Sequence, residues 1–294
     1  MKYLSTNRLT CFALLFLVSA ATNFAIGENY AVRQPVVLEY KKVNEEVLNL
    51  VFHEPRGFEK KRAAVILLHG GGWTEGKPLW TYDDAEQLAS LGLVSVSVAY
   101  RLSNRQVTPI DAINDVCDAY YYLVNNAEAL NLDPDRILAH GVSAGAHLGS
   151  SLATVGCGNR GPRPKLRALL LWSPALDLVN DDYFKRLLRG RSSAAQFSPL
   201  ANIQADIPPV FIVQGERDSQ TPLVGAERFC EKVVELQQRC ELAVYPNVGH
   251  LLSKNLLWQV GAYWVDKEAK QDALARQTAF IRSLDLHQQA DSDW

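Results

Sequence analysis

The sequence predicts an α/β fold: a mostly parallel central sheet with helices on both faces and an antiparallel entry at its N-terminal side. Three observations carry this expectation. Short apolar runs of strand length recur along the chain. Segments with apolar residues at helical spacing separate them, and glycine-rich turns follow two of the runs directly. Val36–Tyr40 and Val47–His53 alternate polar and apolar residues and form the antiparallel entry. Ala64–Leu68, Leu93–Ala99, Arg136–His140, Arg167–Trp172, Pro209–Gln214 and Glu241–Tyr245 then read as strands. Helices are expected over Asp111–Leu130, which ends before Asp133-Pro134, and over Ala144–Thr154, Leu223–Gln238 and Lys267–Leu284. Strands alternating with helices imply that ligands bind at the carboxyl ends of the strands.

Two of the turns at those ends carry chemistry. Gly141-Val142-Ser143-Ala144-Gly145 follows Arg136–His140 and precedes a helix, the strand-turn-helix setting of a G-x-S-x-G nucleophile elbow. There the serine backbone is strained, and the flanking glycines remove side chains that would collide with the neighbouring strand and helix. His69-Gly70-Gly71-Gly72-Trp73 follows Ala64–Leu68, where backbone N–H groups can approach a developing oxyanion. By chance the first pattern arises in roughly one such chain in sixteen and His-Gly-Gly-Gly in roughly one in a thousand, so the conjunction is the informative signal. Taken singly, the glycines read as a flexible turn and Ser143 as a helix N-cap.

A serine hydroxyl is a poor nucleophile at neutral pH, so Ser143 needs a base within hydrogen-bond reach and a group to orient that base. Gly215-Glu216-Arg217-Asp218 follows one strand and Pro246-Asn247-Val248-Gly249-His250 the next. The chain order Ser143, Asp218, His250 is the nucleophile-acid-base order of such elbows. His250 is therefore the candidate base and Asp218 the acid that holds its other ring nitrogen. The N–H groups of Ala144 and of one or two among Gly70, Gly71 and Gly72 are the candidate oxyanion donors. Glu216 and Asp177 compete with Asp218 for the orienting role. His147, on the same expected helix as Ser143, reads as packed, and His69 as a brace for the glycine turn. His53, His140 and His287 have no motif context.

The 294 residues suffice for one sizeable domain, and 21% charged with 48% hydrophobic residues is ordinary for a globular protein. With a net charge of −2 and no polybasic block, nucleic acid is not an expected partner. Lys2 and Arg8 precede the apolar Cys11–Val18 stretch and then small residues, the layout of a secretory signal peptide, too short for a good membrane span. Small residues at Ala21 and Gly27 both suit cleavage, and Gly27 is preferred because polar sequence begins at Glu28. An uncleaved anchor is the competing reading. The expected organisation is a signal peptide over 1–27 and a single catalytic domain over 28–294, secreted or periplasmic, with no stable membrane span after processing. Between Glu28 and His69 there is room for two strands but not for a large cap domain. The connection Ser173–Pro208 is long and lacks a strand signal, so 173–208 reads either as a lid or binding insertion or as a solvated connector with one helix.

Cys117, Cys157, Cys230 and Cys240 permit two disulfides in three pairings. Cys230, within an expected helix, and Cys240, at the start of the next strand, suit a local bridge. Two free buried thiols are the alternative. No C-x-x-C or paired histidine motif accompanies them, so neither a zinc site nor any other metal is expected. Oligomeric state is not indicated.

Between the two motifs stand Tyr100-Arg101-Leu102, Pro109, Asp111 and Asp115, then Asp133-Pro134-Asp135-Arg136-Ile137. With these the chain resembles the α/β-hydrolase family from about residue 36 to 284, specifically serine carboxylesterases of the hormone-sensitive-lipase-like and acetyl- or feruloyl-esterase-like type. The resemblance implies the α/β-hydrolase fold and a Ser143-His250-Asp218 triad acting on a small-molecule ester, without cofactor. The chain departs from the family at Ser103-Asn104-Arg105, where Ala-Pro-Glu is common, at Val142, where an acid is common, and at Ala146, where a second glycine is common. Trp73 after the glycines and the missing cap look like the compact secreted branch that acts on small acyl groups, sometimes on carbohydrates, with Trp73 against the substrate. Two alternatives are an arylformamidase or other amide hydrolase and a catalytically silent binding homologue.

Overall fold

Side chains alternate across a strand, so a strand covered on both faces must be apolar at nearly every position. Arg62–Leu68 meets that demand, with all seven residues buried. In the computed structural model, which describes residues 30–57, 61–261 and 263–286, this segment is the strand β3. The expected signal peptide over 1–27 and His287 lie outside the described residues. The other strands are β1 (Val36–Val43), β2 (Glu46–His53), β4 (Val94–Val98), β5 (Leu132–Val142), β6 (Ala168–Trp172), β7 (Val210–Gly215) and β8 (Cys240–Tyr245). They form one eight-stranded sheet in the order β1-β2-β4-β3-β5-β6-β7-β8. β2 runs antiparallel to β1 and β4, and every other neighbouring pair is parallel.

Among the described residues six α-helices cover the sheet: α1 (Tyr82–Ser90), α2 (Pro109–Asn125), α3 (Ala144–Thr154), α4 (Asp182–Leu188), α5 (Leu223–Glu235) and α6 (Lys267–Arg282). On one face Ala64, Ile66 and Leu68 of β3 pack with apolar residues of α2, α3 and α5. On the other, Ala63, Val65 and Leu67 pack with Ala85 and Leu88 of α1 and with Ala273 and Phe280 of α6. The expected mainly parallel, doubly covered sheet is the observed one.

Helix ends follow local chemistry. Thr108 and Asp111 form a reciprocal capping box ahead of α2, with Pro109 at its first turn. The helix stops at Asn125, short of the expected Leu130, because Asn126 leaves helical dihedrals and Asn131 turns the chain through φ 51° into β5. Gln237, at φ 60°, similarly separates α5 from β8. The connection after β6 contains α4, whose Phe184 and Leu188 are fully buried and whose N-cap Asp181 accepts from the Phe184 N–H at 2.9 Å. Among the described residues two disulfides are formed, Cys117–Cys157 from α2 to the turn after α3, and Cys230–Cys240 from α5 to β8. No helix among the described residues is long and apolar enough to cross a membrane. Because β3, β5, β7 and β8 run the same way, the turns that follow them emerge at one edge of the sheet.

Candidate active site

Ser143 sits between β5 and α3 at φ 53° and ψ −118°, a conformation that costs a non-glycine residue about 1–3 kcal/mol. The surroundings fix it there. Its N–H donates to the Trp172 carbonyl at 2.9 Å, and its carbonyl accepts from Ala146 at 3.0 Å. A Cβ on Gly145 would run into the carbonyl oxygens of Leu68 and His69, so α3 can lie this close to β3 only with glycine there.

At the tip, Ser143 Oγ lies 3.0 Å from His250 Nε2, and His250 Nδ1 lies 2.9 Å from Asp218 Oδ2. All three side chains come from turns that follow strands, β5, β8 and β7 respectively. Such a line lets a hydroxyl proton pass to the imidazole while the carboxylate holds the other ring N–H. Asp218 is buried, and a buried carboxylate needs hydrogen-bond donors. Its Oδ1 accepts from the N–H groups of Gln220 and Thr221, both at 2.9 Å. Gln214 Nε2 donates to Oδ2 at 3.1 Å, and Thr221 Oγ1 lies 2.9 Å from the same oxygen. The base loop is tied to β6 through Ser173, whose Oγ accepts from the Leu251 N–H at 3.0 Å.

The glycine turn lies against the serine, since a Cβ on Gly70 would stand 3.4 Å from Ser143 Cβ. Gly71 takes φ 116°, which glycine alone adopts readily, and its carbonyl accepts from Thr74 and Glu75. Among the described residues no protein acceptor takes the N–H of Gly71, Gly72 or Ala144. His69 braces this turn: its Nδ1 lies 2.7 Å from the Gly70 carbonyl, and its ring stacks on Tyr100 at 4.3 Å between centroids. Burial lowers the His69 pKa to about 4.

Trp73 lines the cleft but is buried, and its indole N–H donates to His147 Nδ1 at 3.0 Å. It therefore offers the cleft a ring and no hydrogen bond. His147 Nε2 lies 2.9 Å from the Phe197 carbonyl, so both ring nitrogens are engaged, Nδ1 as acceptor and Nε2 as donor. Burial lowers the His147 pKa to about 4 as well. The packed reading of His147 from its spacing agrees with this environment.

The cleft over Ser143 has a volume of about 1240 Å³. Trp80 and Glu75 line it beyond the glycine turn, α4 contributes Tyr183, and the chain after His250 contributes Val260 and Tyr263. The rival acids point elsewhere: Asp177 faces Arg228 at 3.7 Å, and Glu216 accepts from the Asn247 N–H at 3.2 Å. His53 packs edge-on against Tyr82, and His140 lies 3.5 Å from Asp84. Sequence reasoning missed Gln214, Ser173, Thr221, Gln259 and Tyr263, which carry no motif. For Thr221 a signal existed, because an Asp followed three residues later by Thr suits a turn in which the carboxylate accepts from backbone N–H groups. Among the described residues no cluster of three His, Cys, Asp or Glu could hold a metal ion.

A family model described as alpha/beta hydrolase fold matches residues 65–253. The chain is 26% identical over 217 residues to the esterase LipQ of Mycobacterium tuberculosis, covering 65% of this chain and 51% of that one. It is 23% identical over 271 residues to the isoprenylcysteine alpha-carbonyl methylesterase ICME of Arabidopsis thaliana, covering 82% of this chain and 62% of that one. The chain thus spans only about half to two thirds of the length of these curated relatives. Among solved structures, a thermophilic esterase from Thermogutta terrifontis superposes with a TM-score of 0.75 at 26% identity, covering 88% of this chain and 95% of that one. That esterase has also been solved with propionate or butyrate bound and phosphonylated by sarin. With the family model covering more than half of its residues, the chain belongs to the alpha/beta hydrolase family.

Proposed function

We propose that the protein is an exported serine carboxylesterase that hydrolyses short-acyl esters through an acyl-enzyme. The observation that carries this reading is the line Ser143 Oγ, His250, Asp218, with spacings of 3.0 and 2.9 Å, beside backbone N–H groups that no acceptor among the described residues engages. Ser143 Oγ attacks the ester carbonyl as His250 Nε2 takes its proton. Asp218 holds Nδ1–H and stabilises the imidazolium. The N–H groups of Ala144 and of the Gly70–Gly72 turn receive the negative oxygen, each such donor lowering the barrier by about 3 kcal/mol. The imidazolium returns its proton to the departing alcohol. Water then attacks the acyl-enzyme with His250 again as base.

Aromatic rings behind the glycine turn support a short acyl group. Trp73 packs against Phe184 at 5.0 Å between centroids, and Tyr183 lies 3.4 Å from where a Cβ on Gly72 would be. The cleft is nonetheless large, with Trp80 and Tyr263 on its walls, and these suit a bulky alcohol such as an acetylated or feruloylated carbohydrate. Export rests on the charged-then-apolar N-terminus over 1–27, with 28–294 as one catalytic domain, and on two disulfides that need an oxidising compartment.

The test is kcat/KM of wild type and Ser143→Ala on C2 to C12 aryl esters, acetylated sugars, feruloyl esters and anilides. Wild type is expected to prefer C2 to C4 esters over longer ones and over amides, since each methylene beyond the pocket forfeits its burial of about 0.8 kcal/mol. A maximum at C8 or longer overturns the short-acyl reading. Preference for amides overturns the esterase reading.

A further inference from the structure

The triad is fastened by a side chain that stands outside it. Gln259 lies nine residues beyond His250, in the segment that lines the cleft through Val260, Gly261 and Tyr263, yet it is only 5% exposed. Its Oε1 accepts from the His250 N–H at 2.8 Å and from the Ser219 N–H at 3.0 Å. Its Nε2 donates to the Arg217 carbonyl at 2.9 Å. One amide therefore joins the residue before Asp218, the residue after it and the backbone of His250.

The cavity that holds this amide is shaped around it. A Cβ on Gly249 would collide with its Cδ, Oε1 and Nε2. Gly249 has φ −101°, open to ordinary residues, so a side chain there would act by pushing the Gln259 amide aside. Among the described residues neither the His250 nor the Ser219 N–H has another acceptor. Without Gln259 both donors are orphaned, and the two loops must part to admit water.

We propose that Gln259 is a positioning residue that sets His250 against the Asp218 loop, so that the imidazole reaches Ser143 and Asp218 together. The inference rests on the esterase reading above. Catalysis is sensitive to such placement, because a displacement of about 1 Å can cost a factor of about 100.

The experiment measures kcat, KM and thermal melting of Gln259→Met and Gly249→Ala on a short aryl ester, with Gln259→Met repeated in a His250→Ala background. Gln259→Met is expected to lower kcat about 30- to 100-fold with KM within about threefold of wild type. Gly249→Ala, which displaces the amide without changing it, should give the same pattern. In the His250→Ala background the substitution should change the residual rate less than about twofold, since the group it positions is gone. Wild-type kcat in both single variants overturns the proposal. So does an equal loss with and without His250, which marks a purely structural role. Should Gln259→Met fail to fold, Gly249→Ala and Gln259→Glu decide. The glutamate keeps the acceptor for both N–H groups and should stay within about tenfold of wild type, while an inactive but folded Gln259→Glu contradicts the positioning role. Full activity in Ser143→Ala would instead remove the esterase reading itself.

Discussion

What each ring nitrogen of a histidine is committed to decides its chemistry, and three histidines here make the contrast. His147 has both nitrogens engaged, by Trp73 and by a carbonyl, while His69 is held against Gly70 and Tyr100. His250 alone stands between a hydroxyl and a carboxylate. Asp218→Asn should therefore lower kcat/KM by about 10⁴-fold through the wrong tautomer, with the fold intact by circular dichroism. Asp177→Asn, whose partner is Arg228, should stay near wild type. The reverse pattern would move the orienting role to Asp177. The meeting of Ser143, Asp218 and His250 was legible because each follows a strand end, in the chain order expected of a nucleophile elbow and its partners. Thr221 was legible only as a turn residue three positions after Asp218, and Gln214 and Gln259 not at all, because an isolated glutamine carries no spacing signal.

Strands buried on both faces announce themselves by apolar runs, which is why the order of elements was legible. α1 was not among the expected helices. Its nine residues bury only Ala85, Leu88 and Ala89, and so short a periodic signal is indistinguishable from a loop. The end of α2 was misplaced because apolar residues continue past Asn126 into a turn that packs under the sheet, so periodicity outlasts the helix. The cysteine pairing left open by sequence depends on which elements are neighbours. In the chain-entropy view, bridges closing separations of 40 and 10 residues contribute about 4 and about 3 kcal/mol respectively. Replacing Cys117 and Cys157 together by Ala should thus destabilise more than replacing Cys230 and Cys240. Urea unfolding of the two double variants gives the comparison, and peptide mapping without reductant that finds free thiols would contradict both bridges.

The whole molecule should lose stability in mild acid through two buried histidines. His69 and His147 are lowered by burial to about 4 in the folded chain, against about 6.5 when unfolded. Between these values the unfolded chain binds more protons than the folded one, so stability falls as pH is lowered. The contribution is fully present above pH 6.5 and declines toward pH 4, by about 1.4 kcal/mol per pH unit for each histidine at most. Urea midpoints from pH 7 to 4.5 measure it, and a flat profile across that window would contradict buried neutral imidazoles at both sites. The sheet that buries these rings also delivers the four turns of the site to one edge, and the central claim is that those turns make Ser143 a nucleophile. Its most direct test is reaction with a fluorophosphonate ester, followed by intact mass and peptide mapping alongside esterase assay. The expected result is one phosphonyl group per chain, on the peptide that holds Ser143, with activity lost in proportion to labelling and no labelling of His250→Ala on the same timescale. Labelling at another serine, or full activity in chains modified at Ser143, would contradict it.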